Sequence, residues 1–328
     1  MWRSISLFAC TVCVGTGIAA GAQPAAPDYP QRPIRLIVPY APGGATDIVA
    51  RIVGPKLTEL LGQQVVVDNR VGAAGNIALE LVAKAQPDGY TLLVGNVSTN
   101  SINPIAFAHI LKFDPAKELV GVTLLASIPN LLVSGAGFPP NSLSEVIAYA
   151  KARPGQLNHG GPIGSYSHLD LLALLNATGM QMLHVPSKGG AGTAVSTLIN
   201  GEVHLTWMNV ATATPQVKAG RFKAYAVTTE QRLPDLPNVP TMAEAGFPGI
   251  GSNNWNGVFA PARTPRTIVN KLYAALVQTM QRQDIQELFA KNQVPVAVSK
   301  SPEEFDAFVQ SEMKRWAKII RDNNLKLD

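Results

Sequence analysis

The sequence predicts an α/β fold of two lobes with a ligand cleft between them. Three observations predict it. Short apolar runs alternate with amphipathic stretches of helical period, the mark of βαβ units and a parallel sheet. The alternation occurs twice, once on each side of an apolar run at 122–135. The turns after the apolar runs are rich in Gly, Ser and Asn and poor in charge, as at the carboxyl ends of strands that face a small ligand.

The strands and helices follow in order. Residues 34–39 read as a strand. Residues 46–61 read as a helix, with Ile48, Ile52, Val53, Leu57 and Leu60 on one side and Gly62 as its stop. A strand at 64–68, a helix at 76–85, the turn Pro87-Asp88-Gly89 and a strand at 90–95 complete the first unit. In the second, Ser142-Leu143-Ser144-Glu145 is a capping box that opens a helix running to Pro154-Gly155. Strands at 157–160, 182–185, 203–207 and 222–228 enclose helices ending at Leu175 and Asn200. Helices at 267–282, 284–292 and 302–323 form the tail. The run at 122–135 carries the chain to the second lobe, and a second crossing near 255–260 brings it back. The expected division is a leader at 1–22, one lobe from 23–128 and 252–328, and the other from 129–251.

Composition sets the class. With 328 residues, 46% hydrophobic and 15% charged, the chain suits a globular protein of about two domains and not a disordered one. The first residues carry one charge, Arg3, then small and apolar residues to Ala20, then Ala20-Gly21-Ala22. This reads as a secretory signal peptide cut near Ala22, which places the mature protein in the periplasm. A membrane anchor would need about 20 apolar residues, and a lipoprotein site at Cys10 would leave almost no apolar core before it. Cleavage removes Cys10 and Cys13, the two cysteines of the chain, and lowers the formal net charge from +5 to +4. No disulfide, thiol chemistry or thiolate metal site is then expected. A mild positive field favours small anions. No basic stripe interleaved with aromatics argues for nucleic acid.

The loop in VPYAPGGATDIVAR (38–51) carries the first candidate chemistry. A strand that turns through Gly43-Gly44 into a helix aims backbone N–H groups and the positive dipole end outward, which makes an anion site. A plain turn in which Asp47 caps the helix and pairs with Arg51 fits equally well on local grounds. The loop lacks a Walker lysine and a third glycine, so phosphate and dinucleotide readings are poor. Asn96, Ser98 and Thr99 in GNVSTN, and Ser165, Ser167 and His168 in GPIGSYSHLD, supply further neutral donors and acceptors; composition alone also fits ordinary turns. Ser165, His168 and Asp170 crowd one segment without a GxSxG elbow, which speaks against a hydrolase triad. The five histidines show no metal spacing. Lys188 can meet an anion or simply be solvated. These readings favour binding over catalysis, with no cofactor and no metal.

Taken in order, several blocks resemble one family: YPQRPIRLIVPYAPGGATDIVAR, VVVDNRVGAAGNIALE, QPDGYTLLVGNVST, LNHGGPIGSYSHL, HVPSKGGAGTAVSTLINGEV, AYAVTTEQRLPDLPNVPTMAEAG, WNGVFAPARTP and SPEEFDAFVQSEMKRWAKII. The chain is similar across 29–325 to the substrate-binding proteins of tripartite tricarboxylate transporters, the TctC-like or Bug family. The resemblance implies a type II periplasmic binding protein fold, two lobes with a hinge closing on a small carboxylate held by backbone N–H groups and hydroxyls. Carried over by motif, it implies ligand contacts from Tyr40, Ala41, Gly43, Gly44 and Asp47, from Asn96 and Thr99, from Gly164, Ser165 and His168, and from Trp207 and Asn209. Asp47 is read as a loop-shaping acid, not a catalytic one.

The chain departs from the family at Ser187, where tyrosine is usual, and at His204 and Met208, where acids are common. A thioether at Met208 argues against an amino-acid ligand, and Trp207 with Tyr40 favours an apolar or aromatic carboxylate. The implied role is a monomeric extracytoplasmic receptor, not an enzyme, that delivers its ligand to the membrane permease subunits. Two alternatives stand: a receptor that presents the ligand to a sensor kinase, and a secreted enzyme on the same fold with His168 or Asp47 as general base.

Overall fold

The computed structural model describes residues 29–187 and 191–322. The expected leader at 1–22, with its cleavage site, and Lys188 lie outside the described residues. No helix among the described residues is long and apolar enough to cross a membrane.

The chain lays down β1 (Ile34–Val38), α1 (Ala45–Leu61), β2 (Val65–Asn69), α2 (Asn76–Ala83) and β3 (Thr91–Asn96). A π-helical turn, Ser98–Ile102, and two single-turn helices, α3 (Asn103–Ala106) and α4 (Pro115–Glu118), lead to β4 (Leu119–Ile128). The second lobe holds β5 (Asn130–Gly135), α5 (Leu143–Lys151), β6 (Asn158–Gly161), α6 (Tyr166–Thr178), β7 (Leu183–Pro186), α7 (Ala191–Ile199), β8 (Thr206–Asn209), α8 (Val210–Lys218) and β9 (Phe222–Val227). The chain returns through β10 (Asn254–Pro261) and ends in α9 (Arg266–Met280), α10 (Gln283–Lys291) and α11 (Pro302–Asp322).

The first sheet has the order β2-β1-β3-β10-β4. Its β1 pairs in parallel with β2 and β3, while β10 runs antiparallel between β3 and β4. In the second lobe β5 lies antiparallel between β8 and β9, and β6 pairs in parallel with β7. A parallel bridge from His159 to Leu205 joins the two pieces. The parallel pairing expected from the βαβ units is present in β1–β3 and β6–β7, and β5 and β10 add antiparallel strands to it. Each lobe contains one antiparallel strand, and in each it is the strand that has just arrived from the other lobe. The sequence carries no sign of this, because a buried strand reads as an apolar run in either direction.

The apolar run at 122–135 is two strands, β4 and β5, divided by Pro129. Proline has no N–H to give a ladder, so the pairing breaks there and the chain changes sheets. The return crossing is tied to the first. Asn130 Nδ2 donates to Ser252 O (2.6 Å), and Thr228 Oγ1 donates to Asn253 Oδ1 (2.7 Å). Asn253 Nδ2 in turn reaches Ser127 Oγ at 3.2 Å.

Both faces of the five-stranded sheet and of the sheet around β5 are covered. Leu36 and Val38 belong to one apolar cluster and Ile37 to another. Leu131 and Val133 likewise part from Leu132, which joins the core of the second lobe with Val146, Leu171, Leu174 and Tyr225. The helix signals act as expected, with one adjustment. Ser142 Oγ accepts from Glu145 N (3.2 Å), but Glu145 reaches back to Asn141 N (2.8 Å), one residue before the cap. On the first sheet, Phe305 of α11 fills a slot left by two glycines. A Cβ on Gly257 would stand 2.2 Å from Phe305 Cζ, and one on Gly121 would stand 2.6 Å from Phe305 Cδ1.

That slot gives a direct test. Gly257→Ala should lower the unfolding free energy by about 1–3 kcal/mol through overpacking, read by urea denaturation. Adding Phe305→Leu should return part of the loss. A neutral Gly257→Ala would show that the slot is loose.

Candidate functional site

The loops that follow β1, β3, β6 and β8 come together where the two lobes face each other. Tyr40, just past β1, is half-buried, and its hydroxyl donates to Asn96 Oδ1 at the end of β3 (3.0 Å). Ser98 beside it accepts from the backbone N–H of Tyr166 at the start of α6 (3.4 Å). Tyr166 belongs to the other lobe, and its hydroxyl donates to Asn209 Oδ1 at the end of β8 (3.1 Å). A chain of neutral polar groups thus runs across the interface, from Tyr40 through Asn96, Ser98 and Tyr166 to Asn209. Ser98 was read from the sequence as a neutral donor or acceptor of its loop, whereas Tyr166, inside the second-lobe loop, was not singled out.

Asp47 shapes the first loop. It is almost fully buried, and each carboxylate oxygen is occupied. Oδ2 accepts from Gly43 N (2.8 Å) and Arg51 Nε (2.8 Å), and Oδ1 accepts from Asn69 Nδ2 (2.9 Å). Asn69 Nδ2 also donates to Tyr40 O (2.9 Å). Burial raises the pKa of Asp47, but the bonds from Arg51, Gly43 and Asn69 outweigh it and hold the carboxyl below its usual range. The loop-shaping role fits this geometry, and a free general base does not. Gly43 has φ +88, which favours glycine, and a Cβ there would meet nothing within 4 Å. The N–H of Gly43 is taken by Asp47, so the donors left at this end belong to the first turn of α1. Gly44 is its N-cap, and no side chain caps it. The starts of α2, at Gly75, and α8, at Asn209, also lack a side-chain cap. Ala41 is exposed at the mouth of the loop.

Asn96 and Thr99 are buried and bond chiefly to each other. Asn96 N donates to Thr99 Oγ1 (3.0 Å), and Thr99 N donates to Asn96 Oδ1 (3.1 Å). In the second lobe Gly164, at φ +71, donates its N–H to His168 Nδ1 (3.2 Å). Ser165 caps α6 by accepting from His168 N (3.4 Å), and its hydroxyl also donates to Pro162 O (2.7 Å). Ser165, His168 and Asp170 form no hydrogen-bonded triad, since Asp170 turns away to Ser252. Trp207 is placed in the apolar core of the second lobe, 3% exposed, and Met208 is also buried. The two enter different apolar clusters, because alternate residues of β8 point to opposite faces of its sheet.

Beneath this loop three histidines stack. His168 and His184 have ring centroids 3.9 Å apart, and His159 lies 5.0 Å from His184 and 5.9 Å from His168. Faces rather than nitrogens converge, and no group of three or more His, Cys, Asp or Glu suited to a metal occurs among the described residues. Burial, reinforced by the neighbouring imidazoles, pushes His159 down to about 4 and His168 to about 3. The loops therefore face each other with Asp47 paired to Arg51 and His168 neutral. Two surface cavities lie away from them: one of about 450 Å³ behind the hinge, near Pro129 and Phe289, and one of about 200 Å³ near Phe138 and His204.

Two predictions follow from these groups. Asp47→Ala should cost about 1.5–3 kcal/mol, as hydrogen bonds to a charged group do. A carboxyl lowered on folding stabilises above its unfolded pKa, so the difference from wild type should hold above about pH 5 and shrink below about pH 4 in urea titrations. The histidines act in the same direction, because their values are also lowered on folding. Their folded values lie below the unfolded one, so the stability they confer is complete above about pH 6.5 and declines as pH falls towards 4. His159→Phe should flatten the melting temperature between those pH values, removing a dependence on the order of 3 kcal/mol.

Comparison with known proteins places this geometry. Residues 49–325 match the family model described as the tripartite tricarboxylate transporter family receptor, TctC. The protein BugT of Bordetella pertussis is 34% identical over 324 residues, which cover 98% of this chain and 97% of BugT. The structure of MatC from Rhodopseudomonas palustris with bound malate superposes with a TM-score of 0.82 at 34% identity, covering 89% of this chain and all of that one. The structure of R. palustris Rpa4515 with adipate gives a TM-score of 0.84 at 34% identity, covering 90% and 99%. With two lobes of matching topology, donor loops meeting between them and a family match over most of its length, the chain belongs to the TctC family of tripartite tricarboxylate transporter receptors.

Proposed function

We propose that this protein binds a small organic carboxylate between its lobes and delivers it to the membrane subunits of a tripartite tricarboxylate-type transporter. The observation that carries the proposal is the set of helix starts around the cleft. The first turns of α1 and α8 have no side-chain cap; Val210 N at the start of α8 donates to Pro129 O (3.0 Å), and the other first-turn N–H groups are available to an anion. They stand beside the neutral row of Tyr40, Ser98, Tyr166 and Asn209. Charge-assisted bonds of this kind are worth about 1.5–3 kcal/mol each, and a few of them support a micromolar complex, near about −8 kcal/mol. Gly43, Gly44, Asn96, Gly164 and Ser165 shape or supply these donors.

The division is a leader removed near Ala22, one lobe from 23–128 and 252–328, and a second from 129–251, with the receptor acting as a periplasmic monomer. Binding without turnover is the role, because Asp47 is engaged by three donors and His168 is held neutral with Nδ1 occupied. Presentation of the loaded receptor to a sensor kinase would use the same cleft. The ligand carries no ammonium group, since no unpaired acid stands among the described cleft residues named above. The relatives bound to malate and adipate support a mono- or dicarboxylate.

Thermal shift and calorimetry with adipate, malate, benzoate, glutamate and aspartate test the reading. At least one acid without an amino group should bind with a micromolar dissociation constant. Tyr166→Phe and Asn209→Ala should weaken that binding about tenfold, a loss of about 1.4 kcal/mol, with little change in the melting temperature of the free protein. Stabilisation by aspartate or glutamate alone would sink the proposed ligand class.

A further inference from the structure

Asp170 lies one turn into α6 and is 1% exposed. Its carboxylate sits where the second lobe, the returning crossing and α11 meet. Oδ2 accepts from the backbone N–H of Ser252 (2.9 Å) and from the Ser252 hydroxyl (2.5 Å). Oδ1 is buried and has no hydrogen-bond partner. The cation facing it is Arg315 of α11, whose Nη2 is 4.0 Å away and donates instead to Gly251 O at 3.3 Å. Glu312, also on α11, stands 3.7 Å from Arg315 Nη1 and accepts from Trp255 Nε1 (3.3 Å). The carboxylate therefore belongs to one lobe and the guanidinium to the other. Both grip adjacent residues of the same crossing, Gly251 and Ser252.

A buried carboxylate oxygen without a donor is costly. A well-made arginine–carboxylate bond is about 2.7–2.9 Å long, so this pair is about 1 Å short of completion. Rotation of the second lobe about the crossings moves α6 relative to α11 and changes this gap directly. We propose that Asp170 and Arg315 are a latch between the lobes, whose ion pair completes as the lobes close on a bound acid and so helps to set binding affinity from the hinge side. The proposal rests on the receptor reading above.

The latch makes an unusual prediction of opposite signs. Asp170→Asn keeps an acceptor for Ser252 and removes the charge. In the free protein that charge is poorly paired. Burial raises the carboxyl to about 6, against the pull of Arg315 and the Ser252 bonds and with Glu312 adding to it; Tyr166 on the same helix also faces Asp170. A raised carboxyl destabilises the native state above its folded pKa and not below the unfolded one. Asp170→Asn should therefore raise the melting temperature of the free protein by about 2–4 °C at pH 7.5 and leave it unchanged near pH 4. The same variant should weaken adipate binding about tenfold, because the completed pair is lost. A merely structural role would move stability and affinity in the same direction.

The experiment measures both quantities for wild type, Asp170→Asn, Arg315→Gln and the double variant. Spin labels on Ala148→Cys and Lys271→Cys, one on each lobe, report the lobe-to-lobe distance. Adipate should shorten it fully in wild type and less in each variant, and the double variant should bind no worse than either single one. An Asp170→Asn that lowers stability and affinity together, or leaves affinity unchanged, would overturn the latch. Should no acid in the panel bind wild type, the receptor reading falls on its own, and the free protein decides the latch. A short-distance fraction present in wild type and missing in both variants supports it; identical distributions in all three overturn it.

Discussion

The structure depends on two strands that change lobes. β5 and β10 each lie antiparallel in the middle of a sheet otherwise built from the other strands of that lobe. Each lobe therefore needs a strand delivered by the crossing. The two crossings are hydrogen-bonded side by side, through Asn130, Thr228, Ser252 and Asn253. A connection of this kind is firm along the strands and narrow across them. It keeps the two sets of strand ends facing each other and leaves rotation about the crossings as the soft motion, in the manner of hinged binding proteins.

That constraint explains why the cleft is neutral. The helix starts turned towards it carry partial positive charge from their backbone N–H groups, and full cations would add desolvation cost without improving geometry. Asp47 spends both oxygens on Gly43, Asn69 and Arg51, which fixes the path of the chain through the glycines. Ser165 plays the matching part in the second lobe by capping α6. The polar row from Tyr40 to Asn209 then spans the interface with hydroxyl and amide groups alone. Asp170 is the exception, a buried charge near the hinge rather than in the cleft, where its pairing depends on how the lobes sit.

Much of this was legible in the residues. The βαβ rhythm, the Gly62 stop, the Ser142 cap and the crossing at 122–135 follow from periodicity and turn chemistry, which are local. Gly43-Gly44 and Asp47 were legible as a loop and its shaping acid, because a strand–glycine–helix junction has few solutions. The packing of Trp207 into the apolar cluster of the second lobe was not legible, because the face it takes is set by the register of β8 on β5, which a single strand does not encode. Ser98 and Tyr166 stood inside loops already singled out, but neither residue type marks which hydroxyl will meet the opposite lobe. The histidine stack joins positions 159, 168 and 184, and no spacing rule relates them.

By itself the sequence determined the class of the fold, the order of most of its elements, the two lobes and the glycine- and serine-rich loops after the strands, but not the helix α8. Those properties come from local pattern and from motifs contiguous in the chain. The tertiary structure alone decided the antiparallel insertion of β5 and β10, the burial of Trp207 and Met208, the stacking of three histidines and the meeting of Asp170 with Arg315. Each of these joins residues far apart in sequence through sheet register and lobe packing. Their energies arise from burial and pairing, which exist only once the distant segments are in contact.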